Sequence, residues 1–274
     1  MPSQWLAVGA ETDPLVRAHE LRRSWERLLA DGDLGLELPP GATAGLRPAI
    51  VESWRRSLAT GLDPTDMLAP IEADESEVLE RWFEHPLGSL AQDLMEQLRK
   101  VAEESRSMVV VTDASGLVLH RVGDEWLKER AAEMNLVEGA RYSEATDGTN
   151  GIGTALAADR AFQVFAFEHF NERHHQWVCS GAPVHDPVSG QVVAVVDLSS
   201  LSPSDGFIIQ GDATFDIAGF SVSSAGDVNG DGFADLIVGA LQGDDGGSEA
   251  GEAYVVFGKA SGFGDIDLAH LSAA

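Results

Sequence analysis

Cysteine is almost absent. Cys179 is the single one in 274 residues, which excludes an intrachain disulfide and any multi-cysteine zinc site. Basic residues are scarce, 18 Lys and Arg against 45 Asp and Glu, for a formal net charge of -27. A surface of that sign repels nucleic-acid phosphates, so no direct binding of DNA or RNA by this chain is expected. No apolar run reaches the roughly 18 residues that cross a bilayer. The start, MPSQWLAVGAETDP, lacks the basic stretch and apolar middle of an export signal, so a cytoplasmic protein with no membrane contact is expected. Catalytic signatures are missing too: there is no G-x-S-x-G elbow, Walker loop or H-E-x-x-H. Gly151-Ile152-Gly153 lacks the third glycine of a dinucleotide fingerprint. The chain is not expected to be an enzyme.

What is present divides near Pro203. Residues 1–202 carry 17 basic and 33 acidic side chains, whereas residues 203–274 carry one, Lys259, against 12. The first part opens on helices. Leu15, Ala18, Leu21, Trp25, Leu28 and Leu29 recur at helical spacing over 12–30, with Asp13-Pro14 as N-cap and first turn. After a loop over 31–44, a second helix spans 47–60 and stops at Gly61 and Pro64. A third helical region, 75–104, is interrupted at Pro86, and its later half keeps a stripe of Leu87, Leu90, Leu94, Leu98 and Val101. That stripe suits either a homodimer through the helices or packing on the domain's own sheet.

From Ser107 the period shortens to that of strands. Met108–Thr112 and Leu117–Val122 flank the turn Asp113–Gly116 as a hairpin. Asp124 caps a short helix to Met134, and strands follow at 163–168, 177–185 and 192–198. Antiparallel strands with helices at the flanks make an α+β domain. Between them lies a polar stretch: the glycine-punctuated turn Thr149–Thr154, which leads into a helix start at Ala155–Ala158, then His169, His174, His175, Cys179 and His185. Imidazoles and a thiolate suit iron, haem or zinc, so an iron or haem redox sensor is one reading. No pair has the spacing of a zinc motif, and Cys179, on a strand expected to be buried, reads as an inert small hydrophobe.

The succession TNGIGTAL (149–156), EHF (168–170), HHQWVCSGAPVHDPVSG (174–190) and VVAVVDLS (192–199) resembles the GAF sensor domain of acetoin-catabolism-type bacterial transcriptional regulators. Ile50–Ser57, IVESWRRS, resembles their N-terminal helix, and the likeness spans about 45–200. It implies a GAF-like antiparallel sheet flanked by helices, a role in signal sensing for transcription, and a small-molecule ligand. The implied pocket uses Thr149, Asn150, Gly151 and Thr154 of the turn, Phe165, Phe167 and His169, and Trp177 and Cys179 of the following strand.

In the second part, Asp227, Asn229, Asp231 and Asp235 stand at positions 1, 3, 5 and 9 of a loop, with Gly232 at 6 and the Phe233 carbonyl at 7. Oxygen ligands in that order suit Ca2+. Val238 stands where an EF-hand needs Glu. With its strand 236–240 and a second at 252–258, the loop resembles the FG-GAP repeat of integrin-type β-propellers, over about 206–264. It implies a small all-β calcium-loop blade and a second functional reading, a calcium-binding interaction or adhesion protein. One repeat seldom stands alone, and such propellers are extracellular, so a truncated or joined reading frame is expected. The expected organisation is a helical lead-in over 1–104, a sensor core over 105–201, a linker over 202–206 and the repeat over 207–274.

Overall fold

The computed structural model describes residues 6–8, 12–29, 38, 41–90, 92–202, 209–213, 216–243, 247, 250–259 and 266–268. It separates into two compact units, residues 1–12 with 16–202, and residues 13–15 with 203–274. Residues 31–37 and 39–40 of the expected 31–44 loop, and 203–206 of the expected linker, lie outside the described residues.

Helix α1, Pro14–Leu29, begins where the Leu15 N–H meets the Asp13 carboxylate, and it buries Ala18, Leu21, Trp25 and Leu28. Helix α2, Pro48–Ala59, starts on its proline and buries Ile50, Ser53, Trp54, Ser57 and Leu58. The 75–104 region is three helices. Asp74 and Glu77 form a capping box on α3, Glu75–Glu84; Pro86 opens α4, Pro86–Leu90; and α5 is Gln92–Glu104. Proline here ends one helix and starts the next, because a first-turn residue needs no N–H partner.

The hairpin β1, Met108–Asp113, and β2, Val118–Gly123, is followed by α6, Glu125–Ala132, whose cap Asp124 accepts the Leu127 N–H. Next come α7, Gly151–Ala158, β3, Phe162–Phe165, β4, Trp177–His185, and β5, Val192–Leu201. Three boundaries depart from expectation. Helix α7 begins at Gly151 rather than Ala155, because Asn150 caps it and both glycines join the first turn. Strand β3 stops at Phe165, where Ala166 takes a φ of +47° and a 3-10 turn covers Ala166–Glu168. Strand β5 runs three residues further than expected.

The five strands form one antiparallel sheet in the order β2-β1-β5-β4-β3, the α+β architecture expected. One face carries Met108, Val110, Val195, Trp177 and Cys179 into a core shared with Ile50, Trp54 and Leu58 of α2, Leu127 of α6 and Ile152 of α7. The other face places Val109, Val111, Val122 and Val196 against Met95, Leu98 and Ala102 of α5. Period-2 alternation along β1 and β5 thus sorts successive residues between two helical layers. The α5 stripe splits: Met95, Leu98 and Ala102 meet the sheet, while Leu94 and Val101 are exposed.

In the second unit, β6, Ile209–Gln210, pairs in parallel with β10, Ile266–Asp267. Strands β7, Ala218–Gly226, β8, Asp235–Ala240, and β9, Glu252–Val256, form an antiparallel sheet. The closing strand is shorter than the expected 252–258, and β7 is an additional strand. Val238, Ala240 and Val256 are buried, whereas Phe220, Val222, Ile237, Val255 and Phe257 remain exposed.

Candidate functional site

The candidate site is a buried polar group set in the apolar layer between the sheet and the α2–α7 side. Its floor follows from register. Cys179 lies opposite Ser199, and Gly181 opposite Asp197, so a carboxylate, a hydroxyl and a thiol share the inward face of β4 and β5. Ser199 Oγ donates to Asp197 Oδ2 at 2.6 Å and lies 3.5 Å from Cys179 Sγ. Asp197 Oδ1 has no hydrogen-bond partner, although the residue is only 1% exposed. Burial pushes its carboxyl up to about 6, with Ser199 and His174 acting against the shift.

The roof comes from the segments on either side of α7. Asn171 Nδ2 donates to Asp147 Oδ1 at 2.8 Å, while Asp147 Oδ2 lies 3.1 Å from His174 Nε2, close enough for an ion pair though not aligned as a hydrogen bond. The His169 ring stacks on that of His174 with centroids 5.6 Å apart. His169 Nδ1 bonds to the Ala166 carbonyl at 2.9 Å, which assigns the proton to Nδ1 and leaves Nε2 a buried lone pair without a partner. Burial, then the neighbouring His174, holds its pKa well below the ordinary value. His175 is pushed down to about 3, mainly by burial, and packs edge-on against Trp25. Tyr142 donates to the Met134 carbonyl at 2.9 Å, and burial with nearby Asp147 raises its phenol. Cys179 is raised well above an ordinary thiol, by burial first and then by Asp197, so it is a poor nucleophile at neutral pH.

The glycine turn serves mainly to hold this assembly together. A Cβ on Gly151 would lie 2.4 Å from Asp197 Oδ1 and 2.6 Å from Cys179 Cβ, so only glycine lets α7 settle onto the floor. Asn150 Oδ1 accepts the Gly153 N–H at 2.7 Å. Thr149 and Thr154 turn outward to α2, where Ser53 Oγ contacts their hydroxyls at 2.6 and 3.3 Å and Glu144 Oε1 at 2.5 Å. Arg56 closes the network with two bonds to Glu144, at 2.5 and 2.9 Å.

Of the sequence-derived pocket residues, Gly151, His169, Trp177 and Cys179 border the polar group or face its layer. Trp177 Nε1 is a further buried atom without a partner. Thr149, Asn150 and Thr154 hold the turn. Phe165 packs with Ala18 and Leu21 in a separate cluster, and Phe167 lies against His175. Asp147, His174, Asp197 and Ser199 were not among the expected pocket residues, yet the fold brings them to it. One signal was available: an aspartate in the apolar run VVAVVDLS, in phase with inward Val195. A separate groove of about 340 Å³ lies on the opposite side of the sheet, lined by Trp82, Phe83, Met95, Arg99, His120 and Val122. Trp82 stacks on His120 there, with centroids 4.6 Å apart.

In the second unit, the 227–235 loop is knitted by its own side chains. Asp227 accepts the N–H groups of Asp231 and Gly232, and Asp231 accepts that of Phe233. Asp235 is fully buried and accepts the Val228 and Gly258 N–H groups at 2.7 Å each, which ties β8 to the chain beyond β9. Among the described residues, one group brings three acidic or imidazole ligand atoms within 4.8 Å of one another, and it is Asp212, Asp216 and Glu252 rather than this loop or the histidines.

Residues 18–209 match the family model described as MimR, N-terminal domain, and residues 218–256 match that of the FG-GAP repeat. An uncharacterized 47.3 kDa protein in the thcA 5' region of Rhodococcus erythropolis is 37% identical over 71% of this chain and 44% of its own length. The acetoin dehydrogenase operon transcriptional activator AcoR of Bacillus subtilis is 31% identical over 65% of this chain and 28% of its own. The propane 2-monooxygenase operon transcriptional activator MimR of Mycolicibacterium smegmatis is 30% identical over 66% and 29%. The chain therefore spans less than half the length of these relatives. In the crystal structure of the E. coli DhaR(N)-DhaL complex, one chain superposes with a TM-score of 0.53 at 18% identity, covering 57% of this chain and 53% of that one. That likeness is one of fold.

Proposed function

We propose that this chain, which belongs to the family of MimR N-terminal domains, is the signal-receiving part of a bacterial transcriptional regulator and takes a small molecule at the Asp147–His174–Asp197 group. The observation that carries the reading is the set of buried polar atoms left without protein partners, Asp197 Oδ1 and His169 Nε2 foremost. Leaving such a group unpaired costs about 1–3 kcal/mol, and a bound molecule that pairs with it recovers that cost. Perturbed, buried titratable groups gathered in one place are also what binding sites tend to contain. The relatives named as transcriptional activators support the regulatory role. They equally favour a non-catalytic reading.

The signal would leave through α2. Ser53 and Arg56 grip the turn at Glu144, Thr149 and Thr154, so a molecule that shifts the turn shifts the helix with it. Screening small metabolites against the full chain by thermal denaturation tests the proposal. Stabilisation that Asp197→Asn changes supports it; no stabilisation from any class at saturating concentration overturns it. The solved neighbour of similar fold is a complex with DhaL, and a protein partner is likewise proposed for this chain.

A second reading concerns the tail. The Asp227–Asp235 loop has the oxygen positions for Ca2+ and the FG-GAP model matches around it, so calcium would add its stabilisation to this unit. Sites of this sort in extracellular modules bind at about 10⁻⁴–10⁻³ M. Millimolar calcium that protects the 218–256 segment from proteolysis in wild type but not in Asp231→Ala supports it.

A further inference from the structure

The groove beside Trp82 lies across the sheet from the Asp147–His174–Asp197 group and shares no residue with it. Its volume of about 340 Å³ stands at the small end of ligand pockets, which run from about 300 to 1,000 Å³. Trp82 and Phe83 of α3, Met95 of α5, and His120 and Val122 of β2 supply three rings, a thioether and a branched aliphatic wall. Gly88 lets α4 close on that wall, since a Cβ there would meet the Trp82 carbonyl oxygen at 2.0 Å. Phe83 stays 65% exposed, a large ring that the described residues leave open to solvent.

The charged groups at the rim answer one another. Arg99 donates from Nε and Nη2 to the two Glu96 oxygens at 2.9 and 2.8 Å and from Nη1 to Glu103 at 2.5 Å, while Lys100 lies 3.6 Å from Glu96. Two carboxylates and two cations along one helix sum to zero. An ion entering the groove would therefore shed water without gaining a counter-charge.

The two imidazoles beside Trp82 differ. His85 is committed at both nitrogens, Nε2 donating to the Val193 carbonyl at 3.0 Å and Nδ1 accepting the Leu87 N–H at 3.2 Å. His120 stacks on the same indole with centroids 4.6 Å apart, and its ring has no hydrogen-bond partner among the described residues. Burial holds its pKa below the ordinary value, with Glu138 opposing the shift and Lys128 adding to it. At neutral pH the ring is thus uncharged and offers one donor and one acceptor.

We infer that this groove is a second binding site, for a small uncharged aromatic molecule bearing a hydroxyl or amide, with its ring against Phe83 and Met95 and its polar group on His120. The inference stands apart from the sensor reading. Aromatic walls favour an aromatic ring over a saturated one of the same size by about two- to tenfold, and rim charges that already cancel select against ions.

The test uses the full chain and four probes of one size: benzyl alcohol, cyclohexylmethanol, benzoate and benzylamine, the last cationic at pH 7. Ligand-observed NMR titrations compare wild type with Phe83→Ala, His120→Leu and Asp197→Asn. Benzyl alcohol should bind wild type best, with cyclohexylmethanol about two- to tenfold weaker and the two ions weaker than benzyl alcohol. Phe83→Ala and His120→Leu should each weaken benzyl alcohol by about two- to tenfold, the share of one ring contact or one neutral hydrogen bond. Asp197→Asn should leave it unchanged. If His120→Leu folds poorly, Phe83→Ala, at an exposed ring, decides alone. Preference for benzoate or benzylamine overturns the uncharged assignment, and parity of cyclohexylmethanol overturns the aromatic one. Binding that neither groove variant weakens, or that Asp197→Asn abolishes, overturns the location. Silence toward all four probes overturns the inference, while the metabolite screen decides the sensor reading separately.

Discussion

Replacing Asp197 with asparagine should change how stability depends on pH. The Asp197 carboxyl sits at about 6 against an ordinary 3.8, with burial as the main cause. The folded state therefore holds the proton more tightly than the unfolded chain. Its contribution is complete below about pH 4 and is lost as pH rises through about 6. A displacement of that size corresponds to about 3 kcal/mol between pH 4 and pH 8. Ser199 on the same strand donates to this carboxyl, and His174 from the roof and Cys179 on β4 interact with it electrostatically. Asparagine does not titrate. Relative to wild type, Asp197→Asn should gain about 3 kcal/mol over that range, or about 6–12 °C in midpoint for a unit of this size. All six tryptophans precede residue 203, so their fluorescence during urea or thermal unfolding reports on the first unit. Parallel stability curves for the two proteins from pH 4 to 8 would refute the burial argument.

Other substitutions test the framework around the site. Gly151→Ala should destabilise the first unit by about 1–3 kcal/mol in urea titrations, because the added methyl meets Asp197 and Cys179 at 2.4 and 2.6 Å. Ser53→Ala strips a donor from Glu144 and a partner from Thr149 in a buried setting and should cost about 1–3 kcal/mol by the same measurement. Cys179 should resist a thiol reagent at neutral pH until denaturant is added, since it is buried and its thiol is raised. Asp235→Ala removes the acceptor for two backbone N–H groups and should expose 227–258 to limited proteolysis while tryptophan fluorescence stays unchanged.

Much of the fold was legible because period and punctuation agree. The hairpin at Asp113–Gly116, the Asp13 and Asp124 caps and the strands from Trp177 and Val192 stand close to where alternation and turn residues put them. Boundaries slipped where a local rule met a tertiary one. The 163–168 stretch has strand composition throughout, yet Glu168 is drawn out of the ladder by Arg47, which bonds it at 2.9 and 2.5 Å. Glycines at 151 and 153 read as a loop because their propensity opposes a helix; close packing on β4 and β5 reverses that preference. The site was legible as a region but not as a set of residues. Thr149, Asn150 and Thr154 look like ligand contacts in sequence and serve as internal braces, whereas Asp147, His174 and Asp197 meet only through strand register and the return of the chain after β3. The groove beside Trp82 has no sequence signature, since α3, α5 and β2 supply its walls from separate stretches.

Glu168 is wholly buried, and its carboxylate answers to Arg47 at 2.5 Å and Arg17 at 3.5 Å. Exchanging Arg47 alone would leave the buried carboxylate only the longer contact with Arg17, and exchanging Glu168 alone would take the shared anion from two guanidiniums, a loss on the order of 3–5 kcal/mol for a buried pair. Positions 121 residues apart in the chain are thereby bound to one fate: either can drift only along a mutational path that alters the other in nearly the same step. A designer wishing to neutralise this spot would have to recode both at once, with packed apolar side chains as the replacement that the surrounding Phe162 ring, already lying 4.8 Å beneath the Arg47 guanidinium, would accept.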